Sequence, residues 1–68
     1  MNDKNGKPIT PGATLKRAVE GRGAPVGYEY TARLYDFHDD GSEVLVADGG
    51  FIKEALDTER AKEFEVIE

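Results

Sequence analysis

YEYTARLYDF, Tyr28 to Phe37, runs through HDDGS into EVLVAD, Glu43 to Asp48, and the reading of this stretch decides the fold. Both runs are rich in β-branched and aromatic residues, and Asp-Gly between two such runs is a strong short-range hairpin signal. Asp39, Asp40 and Gly41 therefore close a turn between two antiparallel strands. In the first strand Tyr28, Tyr30, Ala32 and Leu34 share one face, while Thr31, Arg33, Tyr35 and Phe37 share the other. Large side chains thus stand on both faces. A long strand that buries opposite faces at its two ends is a bent strand passing between the halves of a small barrel.

Working outward, Asp48 to Gly50 forms another turn, and Phe51 to Ile52 reads as a brief fourth strand. Between Lys53 and Lys62 the helix formers Glu54, Ala55, Leu56, Glu59, Arg60 and Ala61, with Asp57 or Thr58 as cap, predict one or two helical turns. Glu63 to Ile67 is a closing strand that faces Phe64 and Val66 inward. Upstream of the hairpin, Gly21 to Gly27 holds three glycines and Pro25 and is a loop. It follows a strand from Ala13 to Glu20 in which Ala13, Leu15 and Val19 point one way and Thr14, Lys16 and Glu20 the other. Arg17 is the exception to that alternation and marks a bend or an exposed end. The opening run NDKNGKPITPG contains two turns, Asp3 to Gly6 and Thr10 to Gly12, which steer Ile9 inward and launch the first strand. The expected architecture is mainly β: a five-stranded SH3-like barrel with one short helical turn before the last strand, forming a single domain over residues 1–68.

Fifteen of the 68 residues are Leu, Ile, Val or Phe, so the core is small and the tyrosines matter to it. The absence of cysteine excludes a disulfide framework and a thiolate zinc site. No apolar run is long enough to cross a bilayer and no secretory leader is evident, which predicts a soluble, cytoplasmic protein without a membrane partner. Charge is distributed unevenly. Residues 1–22 hold five basic and two acidic side chains, whereas the remainder holds four basic and twelve acidic ones, for a net charge of -5. Such a total disfavours bulk binding to a polyanion and leaves room for a local basic edge.

Asp3-Lys4-Asn5-Gly6-Lys7, followed by Ile9, Gly12 and Leu15-Lys16, resembles the opening of the YopX-like proteins of bacteriophages and prophages. The closing Phe64-Glu65-Val66-Ile67 is similar to the apolar final strand of that family, so the resemblance covers about a quarter of the chain. It implies an SH3-like barrel of mobile-element origin, and it brings no catalytic residues with it.

No arrangement of residues points to catalysis: His38 is the sole histidine and the hydroxyl residues show no triad or elbow pattern. Asp36, His38 and Asp40 match the first positions of a calcium loop, but its twelfth position falls on Ala47 where a bidentate Glu is needed. Gly21-x-Gly23-x-x-x-Gly27 has the wrong spacing for a phosphate loop, and Pro25 removes a donor. No enzyme, cofactor or metal is therefore expected. The expected function is a non-catalytic protein-binding or adaptor module. By fold analogy its contact surface lies between the 21–27 loop and the hairpin, with Arg22, Tyr28, Tyr35 and His38 as binding residues. Two alternatives stand beside it. Lys16, Arg17, Arg22 and Arg33 with Tyr28, Tyr30 or Tyr35 would make a basic, aromatic face for nucleic acid, and the acidic C-terminal third would suit an inhibitor of a host nucleic-acid enzyme.

Overall fold

The computed structural model describes residues 1–21, 23–37 and 41–67, and at Phe37 and Ser42 the backbone alone. Strands β1 (Thr14–Arg17), β2 (Glu29–Phe37), β3 (Ser42–Asp48) and β4 (Lys53–Ala55) are followed by the short helix α1 (Thr58–Ala61) and by β5 (Phe64–Val66). All pairings are antiparallel, in the order β4-β3-β2-β1-β5. This is the mainly β, five-stranded SH3-like architecture expected from the sequence. Its spine is the 28–48 hairpin, where seven successive residues of β2 pair with β3 from Thr31↔Asp48 to Phe37↔Ser42. The Asp39-Asp40 tip lies outside the described residues.

The sheet is strongly curled. Arg17 on β1 and Glu54 on β4 are separated by two strands, which in a flat sheet places them about 14 Å apart. Their charged groups nevertheless meet at 2.9 Å, with the Arg17 Nη2 also 3.0 Å from the second carboxylate oxygen. Tyr30 and Ala32 of β2 face the interior formed by this curl, as do Leu15, Ala47 and Phe64 on neighbouring strands, whereas Leu34 and Asp36 farther along β2 are exposed. Ile9, Ala24, Leu56 and Ala61 complete the core from outside the strands. Ile9 points inward between its two turns, as the opening segment predicts.

Arg17 corrects the sequence reading. It shares parity with Leu15 and follows it into the core, where it is 1% exposed, whereas Val19 is exposed because β1 ends at Arg17. Burial of a guanidinium requires partners. Glu54, itself 4% exposed, supplies two contacts, Glu63 accepts from Nη1 at 3.1 Å, and the Phe64 ring lies 5.1 Å from the guanidinium carbon. The Tyr30 hydroxyl donates to Glu54 at 3.1 Å, and burial, reinforced by that carboxylate, pushes its pKa up to about 12. Among the described residues, Arg17 Nε is the one buried side-chain nitrogen or oxygen without a hydrogen-bond partner.

Two boundaries also differ. Phe51 and Ile52 belong to the turn, and the fourth strand is Lys53–Ala55, which the sequence assigned to a helix. Helix propensity at Glu54 and Ala55 is worth tenths of a kcal/mol, less than the ladder to β3 together with the ion pair that draws Glu54 inward. The helical turn survives as α1, capped by Asp57, whose Oδ1 accepts from Arg60 N–H at 2.7 Å.

The N-terminal turn guards the outer edge of β5. Lys4 N–H donates to the Phe64 carbonyl, and the Asp3 carboxylate accepts from Val66 N–H on Oδ2 and from the Asn5 and Lys7 N–H groups on Oδ1. Burial opposes the charge on Asp3, but those three donors outweigh it and hold its pKa below the ordinary carboxylate value.

Candidate functional site

Of the four residues expected to bind a partner, Tyr28 and Tyr35 are brought to one place, and Arg22 and His38 lie outside the described residues. Tyr28, immediately before β2, and Tyr35, within it, are of opposite parity along the chain, and both hydrogen-bond to the Asp48-Gly49 end of the β3–β4 turn. Tyr28 donates to the Gly49 carbonyl at 2.8 Å, and Tyr35 donates to Asp48 Oδ2 at 2.8 Å. Asp48 Oδ1 in turn accepts from Gly50 N–H at 2.9 Å, closing an Asx turn, and Gly49 N–H bonds the Ile52 carbonyl at 2.7 Å. Arg33 adds a looser contact, its Nε 3.4 Å from Asp48.

These bonds tune both partners. The N–H of Gly50, followed by the Tyr35 hydroxyl, holds the Asp48 carboxyl below its usual pKa, and the same Tyr35–Asp48 bond raises the phenol. Aromatic stacking carries the support inward. The Tyr28 ring packs edge-on against Tyr30, and Tyr30 against Phe64, each with centroids 5.1 Å apart.

At the tip of this braced turn Phe51 stands fully exposed, at 102%. Exposed phenylalanine at full accessibility is unusual on a turn held by so many bonds. The sequence reading missed it because a strand was expected there. The signal available was the Asp-Gly-Gly run immediately before it, which puts a tight turn where the ring must project. Val26, at the turn that leads into Tyr28, is a second exposed apolar residue. An open polar groove of about 590 Å³ flanks the turn on the outer face, lined in part by Glu29, Thr31, Arg33, Asp48 and Gly50.

Gly49 permits the brace. A Cβ there would lie 2.6 Å from Tyr28 Cε2, 3.0 Å from Tyr30 Cδ2 and 3.1 Å from the Ile52 carbonyl. Gly49→Ala is expected to cost about 1–3 kcal/mol in denaturant unfolding, because the rigid backbone oxygen and the buried Tyr30 ring leave only Tyr28 to move. A loss below about 0.5 kcal/mol would show that the tyrosines do not pack on the turn as described.

The basic and aromatic face is divided by the fold. Arg17 and Tyr30 are core residues, while Lys16 and Arg33 stand on the outer face. Among the described residues no cluster of His, Asp or Glu is arranged to hold a metal ion, and no helix is long and apolar enough to cross a membrane. No family model, curated protein or solved structure matches the chain.

Proposed function

We propose that this protein is a non-catalytic protein-binding module whose principal contact is the Asp48–Phe51 turn, and that it works in a phage or prophage setting. One observation carries the reading: a fully exposed Phe51 on a turn fixed by Tyr28, Tyr35 and Asp48. An aromatic side chain presented on a backbone turn that is already fixed spares the cost of ordering that turn on docking, and aromatic anchors supply much of the energy of protein interfaces. The phage setting rests on the resemblance of Asp3 to Lys16 to the YopX-like proteins. The nucleic-acid alternative has less support, since two side chains on which it draws, Arg17 and Tyr30, are engaged in the core.

Phe51→Ser tests the reading. The ring is exposed, so the melting temperature should stay within about 2 °C. Capture of a protein from bacterial host lysate should weaken at least about 30-fold, as for loss of an aromatic hot spot. Capture unaffected by the substitution, or capture that disappears on nuclease treatment and falls steeply with salt, would count against it.

A further inference from the structure

A second surface, separate from Phe51, lies on the other flank of β2. Ala32 turns both backbone groups toward β1: its N–H donates to Ala13 and its carbonyl accepts from Gly12. Extended strands alternate, so the N–H and C=O of Leu34 and Asp36 point the same way, and those of Arg33 and Tyr35 point to β3. The β3 side agrees, because Leu45 turns its carbonyl toward β4 to accept from Leu56 N–H, leaving Val44 and Val46 to bond β2. Beyond Ala32 nothing among the described residues continues β1. Gly12, at φ 93°, turns the chain away, and Pro11 has no N–H to offer.

The edge so exposed has no lysine, no proline and no break in its register from Leu34 to Phe37, and the charge it does carry, on Asp36, selects among strands that could pair with it. An open groove of about 450 Å³ runs along it, lined by Pro11, Gly12, Ala32 and Leu34 among others, and Leu34 is 49% exposed. Its charge is specific. Asp36 stands directly across from Glu43, two exposed carboxylates in register with no cation on either among the described residues. Like charges directly opposite are unfavourable, and a cation on the next strand relieves them. On the opposite face Tyr35 and Arg33 are tied to Asp48, which holds the strand in place.

We propose that the Leu34–Phe37 edge of β2 accepts an extended peptide strand from a partner protein, one that sets a Lys or Arg opposite Asp36 and an apolar residue opposite Leu34. In antiparallel pairing the basic residue precedes the apolar one by two positions. Backbone bonds to Leu34 and Asp36 supply affinity and the two side-chain positions supply selectivity, as in other strand-addition sites. A second copy fits less well, because each chain carries a net charge of -5 and would bring its own Asp36–Glu43 pair to the seam.

The test uses the full chain and a short capped peptide of alternating Thr and Val with a single Lys two residues before a Leu, followed by amide resonances. Saturable shifts at Leu34 and Asp36, about fivefold weaker binding when Glu replaces the Lys, and loss of binding on N-methylation of the peptide are expected. Asp36→Lys should reverse the preference, and Asp36→Asn should erase it. Phe51→Ser should leave peptide binding unchanged, so that failure of this site and failure of the Phe51 surface are read apart. Absence of shifts at millimolar peptide, shifts confined to other strands, or equal binding of the Lys and Glu peptides overturns the proposal. Concentration-dependent broadening of the same amides without peptide overturns it too, by assigning the edge to a second copy.

Discussion

Arg17→Met is expected to destabilise the protein by about 3–5 kcal/mol, because it withdraws the guanidinium from a carboxylate that is almost wholly buried. A chain of this length commonly has a total stability of roughly 3–10 kcal/mol, so much of the variant population should be unfolded in water. Methionine fills most of the space of the arginine stem and keeps contact with Phe64, which isolates the electrostatic part of the loss. Arg17→Met combined with Glu54→Met should recover at least about half of it, since a buried ion pair replaced by apolar side chains of similar volume is often neutral or better. Full recovery is not expected. The Tyr30 hydroxyl loses its acceptor, a buried donor worth about 1–3 kcal/mol when left unmet. Urea unfolding of the three proteins checks this, and a single-variant loss below about 1 kcal/mol would contradict the network described.

Asp3→Ala should cost about 2–4 kcal/mol, as three backbone N–H groups lose a charged acceptor and the turn that covers the edge of β5 is released. Asparagine cannot substitute. Oδ1 serves the Asn5 and Lys7 donors and Oδ2 serves Val66, so whichever end became an amide would set N–H against N–H. The pH dependence follows in sign. Asp3 has a folded-state pKa below its unfolded value, so its contribution is complete above the unfolded pKa near 3.8 and is lost as pH falls through the lower folded value. In wild type that loss should appear below about pH 4, and in Asp3→Ala the acid limb should be correspondingly shallower. Thermal melts from pH 7 downward measure both.

Local features were legible in the sequence and remote ones were not. The pairing of the 28–48 hairpin, the Asn5-Gly6 turn and a cap at Asp57, one of the two candidates with Thr58, rest on near neighbours in the chain, and the structure has all three. Arg17 shows the other case. Its parity already pointed inward with Leu15, but charge argued for exposure, and the partner that decides the matter lies 37 positions away in a segment of helix formers. The same remote contact explains why Lys53–Ala55 became a strand. At the candidate site, Tyr28 and Tyr35 were identifiable as aromatic residues near loops, whereas their meeting at Asp48 and Gly49 depends on the register of β2 on β3 and the path of the turn that follows. Phe51 escaped notice because apolar residues are ordinarily counted toward strands and cores.

The full exposure of Phe51 also bears on how this protein can change over generations. Its ring is as wet in the folded chain as in the unfolded one, so folding exerts no hold on the side chain, in contrast to Phe64, which is wholly buried. Substitutions at position 51 are therefore invisible to selection for stability and open to selection by whatever the turn touches. Among related chains, drift at this position with Gly49 and Tyr28 retained would mark a change of partner on an unchanged scaffold.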